Sequence, residues 1–238
     1  VEEAREVFEK LPERDVVSWS ALISGYALNG LGNEALKCFE LMKKERMNPN
    51  SVTYICTLKA CAILGSLELG EDIYADVRKQ GLLQKNIVLG TALVDMYAKC
   101  GTLDKAREVF EQLPERNVVS WNAIISRYAN NNQGGDNTQV FKEMLHVGME
   151  PNTATFISIL KSYSRVKDLW QGKIIHCHVR ELDAGCDLLV MNTVMDMYMN
   201  CGSFVDAFQV FKGMESKDIT TWNITIARCI EHGYHEKI

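Results

Sequence analysis

The chain has 238 residues, 47% of them apolar, and a formal net charge of −5. That apolar content excludes a disordered chain, no apolar run reaches the roughly 18 residues of a membrane span, and the acidity argues against indiscriminate nucleic-acid binding by bulk charge. Eight cysteines without a C-x-x-C pair exclude a disulfide-stapled scaffold and point to buried free thiols.

In chain order, residues 1–15 read as the tail of a motif. The chain opens at VEEAREVF, midway through that motif, so it reads as a piece of a longer protein, and no signal or transit segment opens it. Over 16–50, Trp19, Leu22, Ile23 and Tyr26 follow helical spacing, Gly30 and Gly32 break it, and Ala35, Leu36, Phe39 and Met42 form a second stripe that ends at Asn48-Pro49-Asn50. The same pattern predicts two helices in each of 51–86 (SVTYICTLKAC), 87–117 (IVLGTALVDMY), 118–152 (VVSWNAIISRY), 153–187 (TATFISILKSY) and 188–218 (LLVMNTVMDMY). ITTWNITIARC opens a partial motif over 219–238. One stretch dissents: NQGGDNT at 132–138 is rich in poor helix formers, so the second helix of 118–152 is expected to start late or fray.

These motifs repeat in threes. AREVFEKLPERDVVSW at 4–19 returns as AREVFEQLPERNVVSW at 106–121, identical at fourteen of sixteen positions, and as the worn DAFQVFKGMESKDITTW at 206–222. All four prolines pair at an offset of 102, as Pro12 with Pro114 and Pro49 with Pro151. The motif lengths run 35, 36, 31, then 35, 35, 31. One helical hairpin cannot bury both its faces, so the predicted fold is all-α: an α-solenoid superhelix of stacked helix-turn-helix repeats.

Tetratricopeptide repeats keep a constant length and a W-x-x-L-G-x-x-Y pattern, which this chain does not. It resembles instead the pentatricopeptide repeat family, in its plant subtype with alternating P-, L- and S-type motifs. The resemblance rests on VVSWSALISGYALNGLGNEALKCFELM for the P type, LKACAILGSLELGEDIYADV for the L type and ALVDMYAKCGTLDKAREVFEQLPERNVVSWNA for the S type. It covers the whole chain in unbroken P-L-S order. It implies single-stranded RNA binding, one nucleotide per repeat, with unpaired bases read on their Watson–Crick edges.

By that resemblance the second residue of a motif wedges between bases: Val17, Val52, Val88, Val119 and Leu189, with Ala154 and Thr220 at the same place. A packing role as core residues at the helix start competes with this reading. The fifth and last residues read the base edge: Ser20 with Asn50, Thr91 with Asn117, Asn122 with Asn152, and Asn192 with Asp218. Asp15 ends the first, incomplete motif and Asn223 begins a further position. Ser, Thr, Asn and Asp span the donor and acceptor options that tell bases apart, yet the same residues favour helix N-caps, and both roles can coexist. The L-type motifs carry Ile55 with Asn86 and Ile157 with Asp187, and isoleucine offers no polar group to a base. The family code, in which Ser or Thr with Asn favours adenine, Asn with Asp uracil and Asn with Asn pyrimidines, implies the target 5′-A-N-A-Y-N-U-3′.

Such arrays resemble the targeting part of plant organelle C-to-U editing factors, whose deaminase needs H-x-E and a downstream C-x-x-C. The nearest fragments, His176 with His178 and His232 with His235, lack the cysteine pair and read as surface histidines. The chain is therefore expected to be no enzyme, with no catalytic residue, metal or cofactor, and any deaminase would lie outside it. The expected partner is single-stranded RNA, in a mitochondrion or chloroplast, with an editing-complex protein contacting the L-type motifs as a second candidate; no membrane or small-molecule substrate is expected. The alternative is a protein-interaction scaffold within a ribonucleoprotein assembly.

Overall fold

The computed structural model describes residues 2–130, 134–182 and 187–231. Among them lie fourteen α-helices and no strand. Helix α1 (Glu2–Glu9) closes the incomplete first motif. Pairs then follow: α2 (Val16–Leu28) with α3 (Gly32–Lys44), α4 (Ser51–Leu64) with α5 (Leu67–Lys79), and α6 (Ile87–Lys99) with α7 (Leu103–Gln112). The second cycle holds α8 (Val118–Asn130) with α9 (Gly134–His146), α10 (Thr153–Val166) with α11 (Leu169–Glu181), and α12 (Leu188–Asn200) with α13 (Phe204–Gly213). Helix α14 (Ile219–Glu231) begins the partial motif over 219–238. The chain divides within α8 into two compact halves, Val1–Ile124 and Ile125–Ile238.

In the N-terminal half the first helices of successive motifs, α2, α4 and α6, pack side by side, and the second helices α3 and α5 each seat against the first helix of their own motif and of the next. The C-terminal half repeats the arrangement with α10, α12 and α14 side by side and α11 against α10 and α12. Periodicity explains the layers: Trp19, Ile23 and Tyr26 of α2, Phe39 and Met42 of α3, and Leu58 and Cys61 of α4 are all buried. Close approach is built in at the second helix of each L-type motif. A Cβ at Gly70 or Gly172 would lie 2.5 Å or 2.4 Å from the tip of Met96 or Met197, so any larger residue there would push that methionine tip aside.

The thrice-repeated sentence of the sequence is a motif junction. Phe8 meets Trp19 edge to face at 4.6 Å between ring centroids, Phe110 meets Trp121 at 4.6 Å, and Phe211 meets Trp222 at 5.0 Å. A cation lies over each phenylalanine: Arg14 and Arg116 at 5.0 Å, Lys217 at 5.2 Å. Arg116 also donates to the carbonyls of Phe110 and Glu111, and Lys217 to that of Met214, satisfying groups left open where α7 and α13 end.

Helix α9 begins at Gly134, in register with α3 at Gly32, rather than late. Asn131, Asn132 and Gln133 lie outside the described residues. Burial of Val140, Phe141 and Met144, placed as Cys38, Phe39 and Met42 are in α3, outweighs the weak propensity of the Gly-Gly-Asp-Asn start. The ion pair between α5 and α7, Glu71 with Lys105, recurs between α11 and α13 with its charges exchanged, as Lys173 with Asp206 at 2.8 Å. Of the described thiols, Cys56 and Cys61 are buried, Cys38, Cys100 and Cys201 half-buried and Cys177 exposed, so the expectation of buried thiols fails at Cys177. Burial pushes the Cys61 thiol up to about 12.

The junction stack predicts unequal costs. Trp121→Ala should destabilise the chain by about 3–5 kcal/mol in urea titration. Trp121→Phe should cost far less, since the indole N–H has no hydrogen-bond partner. Trp222→Ala should also cost less, because Trp222 is 45% exposed. Equal losses for Trp121→Ala and Trp222→Ala would contradict this account of the junction.

Candidate functional site

Every motif junction is a helix N-cap made by the last residue of the preceding motif. Asp15 Oδ1 accepts the Ser18 N–H at 2.8 Å, Asn50 Oδ1 that of Thr53 at 2.9 Å, and Asn86 Oδ1 that of Leu89 at 3.1 Å. Asn117 Oδ1 accepts from Ser120 at 2.9 Å, Asn152 Oδ1 from Thr155 at 3.1 Å, and Asp218 Oδ1 from Thr221 at 2.8 Å. Asp187 Oδ1 accepts from both Leu189 and Val190, at 2.9 and 3.3 Å. Capping is thus realised at all seven positions, and it fixes what remains. A backbone N–H demands an oxygen, so an asparagine turns its Nδ2 donor away from the helix end, whereas an aspartate turns a second oxygen. Asp15 and Asp218 sit below the usual carboxylate range because these backbone N–H groups, seconded by the Ser18 and Thr221 hydroxyls, favour the charged form. At Asp187 the leading cause is the Thr153 hydroxyl, which donates to Oδ2 at 2.6 Å, so both carboxylate oxygens are engaged.

The second residues stand on the open side of each cap. Val17 is 69% exposed, and Val52, Val88, Val119 and Leu189 lie between 55% and 58%; Ala154 and Thr220 are exposed as well. The competing reading, that they are core residues at the helix start, is therefore wrong: the buried stripe begins one or two residues later, at Trp19, Thr53, Leu89, Ser120, Thr155, Val190 and Thr221.

The fifth residues lie one turn on. Ser20 and Asn192 are only 5% and 4% exposed and Thr91 is buried; Asn122, Ile55 and Ile157 are half-buried, and Asn223 is exposed. Fifth and last residues are brought together in the motifs 16–50 and 188–218. Ser20 Oγ lies 3.5 Å from Asn50 Oδ1, and Asn192 Nδ2 donates to Asp218 Oδ1 at 3.3 Å. Ser20 and Thr91 both donate to the carbonyl four residues back, Val16 at 2.6 Å and Ile87 at 2.8 Å, but no hydrogen bond joins Thr91 to Asn117. The polarity of the fifth position amid apolar neighbours has an internal partner that sequence reasoning missed. Thr53 Oγ1 lies 2.7 Å from Ser20 Oγ and 3.0 Å from Asn50 Oδ1, and Thr221 Oγ1 lies 2.8 Å from both Asn192 Oδ1 and Asp218 Oδ1, with one proton to share between them. The available signal was the capping-box spacing, with a hydroxyl three residues after Asp or Asn.

The L-type motifs differ. One turn beyond Ile55 and Ile157, on the face that carries Val52 and Ala154, stand the exposed Lys59 and Lys161. His176 and His178, expected at the surface, are half-buried: His176 Nδ1 lies 3.0 Å from the Tyr198 hydroxyl, and His178 lies against Phe141 and Glu181. Burial pushes the His176 pKa down, Arg180 adds to that, and Asp206 opposes it. His232 and His235 lie outside the described residues. Among those described, no three His, Cys, Asp or Glu side chains gather as a metal site requires.

If the cap account holds, Asn50→Ala should lower stability by about 1 kcal/mol while Asn50→Asp, which keeps the accepting oxygen, leaves it nearly unchanged. Thermal unfolding of the two variants checks this, and an equal loss in both would refute it.

Sequence profiles described as the PPR repeat family match residues 14–63 and 116–165, and a PPR repeat profile matches 91–118 and 190–219. The chain is 34% identical over 233 residues to a chloroplastic pentatricopeptide repeat-containing protein of Arabidopsis thaliana, covering 98% of this chain and 29% of the relative. It is 35% identical over 238 residues to a mitochondrial one of the same plant, covering 100% of this chain and 23% of the relative. The chain thus spans less than a third of either relative's length. Among solved structures it is similar in fold to the pentatricopeptide repeat protein PPR10 in complex with an 18-nt psaJ RNA element. That likeness has a TM-score of 0.50 and 19% identity, over 91% of this chain and 38% of that one.

Proposed function

The chain belongs to the pentatricopeptide repeat family, and on that premise we propose that it binds single-stranded RNA, one nucleotide to a motif, as part of the target-recognition array of an organelle C-to-U editing factor. The observation that carries the reading is the coincidence, at six of the seven junctions, of an exposed apolar second residue with a cap whose inner oxygen is already committed. An aliphatic side chain in that place can lie against the face of any base, and the outward atom of the cap can meet its edge. RNA in the complex named for the structural neighbour and the organelles named for the two relatives support partner and compartment.

Bulk charge does not supply the affinity, since the chain is acidic. Lys59 and Lys161 therefore take the phosphates beside the motifs whose Ile55 and Ile157 read no base. Ser20 with Asn50 and Thr91 with Asn117 read adenine, Asn122 with Asn152 a pyrimidine, and Asn192 with Asp218 uracil, which gives the site 5′-A-N-A-Y-N-U-3′.

A gel-shift titration at fixed salt, comparing RNA carrying this site with its scramble, should favour the match. Equal binding would return the chain to the scaffold reading. Asn117→Asp, which replaces the outward donor with an acceptor, should move the third base preference from adenine toward guanine while the fold stays intact by circular dichroism. Unchanged preference would remove Asn117 from the readout. Replacing Lys59 and Lys161 together with glutamine should weaken all RNAs alike and reduce the salt slope by about 2. A sequence-selective loss would overturn the phosphate assignment.

A further inference from the structure

The fifth residue of one motif and the third residue of the next change together along the chain. Polar fifth residues are followed by hydroxyls: Ser20 by Thr53, Thr91 by Ser120, Asn122 by Thr155 and Asn192 by Thr221. The two aliphatic fifth residues are followed by aliphatic ones, Ile55 by Leu89 and Ile157 by Val190. All six third residues are fully buried, so none of them can touch RNA. Whatever they contribute to recognition passes through their neighbours.

The hydroxyls fall into two geometries. The threonines Thr53, Thr155 and Thr221 direct Oγ1 to the cap side chain, at 3.0, 3.1 and 2.8 Å from Asn50, Asn152 and Asp218 Oδ1. The serines Ser18 and Ser120 donate instead to the cap's main-chain carbonyl, at 2.9 Å to Asp15 and 2.8 Å to Asn117. Only the threonine geometry reaches the fifth residue, at Ser20 and Asn192. At Asn192 the consequence is definite: its amide oxygen accepts from Thr221 while its nitrogen donates to Asp218. Without the hydroxyl the amide oxygen loses its donor, and the side chain is held only through its nitrogen. At Ile55 and Ile157 there is no polar orientation to hold.

We propose that the third residue of each motif is a positioning residue for the base-reading pair of the motif before it. Threonine ties that pair together through its hydroxyl, serine does not reach the fifth residue, and an aliphatic third residue accompanies a motif that reads no base. The proposal rests on the RNA reading above, and its test separates the two. Competition titrations measure the preference for adenine over cytosine at the first nucleotide of the site, read by Ser20 and Asn50, and at the third, read by Thr91 and Asn117. Thr53→Val keeps shape and branching but removes the hydroxyl. It should cut the first-nucleotide preference from about tenfold, the scale of one good base contact, to within about twofold. Ser120→Thr should raise the third-nucleotide preference by about threefold, toward that same scale. Thr53→Ser should fall between wild type and Thr53→Val. A preference unchanged in Thr53→Val, or no gain in a folded Ser120→Thr, overturns the positioning role while leaving base reading in place. Absence of any preference in the wild-type chain overturns base reading and the positioning role with it. Should Thr53→Val fail to fold, as circular dichroism would reveal, the gain or its absence in Ser120→Thr decides.

Discussion

A helix cannot begin in a packed array without an oxygen for its first free N–H groups, and here one carboxamide or carboxylate at each motif junction meets that demand. The requirement is local and strict, and it fixes the geometry of everything beside it. The capping oxygen of Asn50 or Asp218 settles which way the side chain lies, which settles whether a donor or an acceptor faces outward. Asparagine and aspartate serve the helix equally, so the two can exchange at a junction with little effect on folding while the outward hydrogen-bonding character reverses. The Asp15 and Asn117 difference within two otherwise near-identical sentences is such an exchange.

The rest of that sentence holds one motif to the next. Phenylalanine near the end of one second helix meets tryptophan in the following first helix, a cation covers the phenylalanine, and the cap lies between them in sequence. Each part depends on the others: the tryptophan reaches the phenylalanine only if the helix starts at the cap, and Arg116 closes the carbonyls of α7 while it lies over Phe110. That mutual dependence explains why fourteen of sixteen positions agree between the first two copies. In the third copy lysine replaces arginine and Trp222 is partly exposed; its wording has drifted, yet the ring contact and the cation remain.

Helical pairs were legible because the apolar period near 3.6 is a property of single segments, and Trp19, Ile23 and Tyr26 declare one face without help from elsewhere. The start of α9 was not legible: propensity is local, while the burial of Phe141 against Phe156 of α10, 6.3 Å between ring centroids, is not. His176 misled for the same reason, since the group that shelters it, Tyr198, lies in the next motif. At the candidate site the last residues were legible as caps or readers and prove to be caps in every case. Whether the second residues belonged to the core could not be told from composition, because valine suits both a helix start facing solvent and one facing the core. Exposure of Val17, Val52, Val88 and Val119 resolves it. The Thr53 and Thr221 hydroxyls escaped notice because their partners Ser20 and Asn192 are a whole motif away.

On the proposed reading, the L-type motifs are those that read no base. Their fifth residue becomes aliphatic, the buried hydroxyl beneath is lost, and at Asp187 the outward oxygen turns to Thr153 within the same motif. These changes are chemically coupled: a hydroxyl left beneath isoleucine would be a buried donor with one partner fewer, so its loss should follow that of the polar fifth residue. Lysine then occupies the next turn, at Lys59 and again at Lys161. On the proposed reading, an acidic chain concentrates its phosphate contacts in the motifs that have nothing to say about sequence. In that proposal specificity and affinity fall to different members of each triplet, so that either can change without disturbing the other.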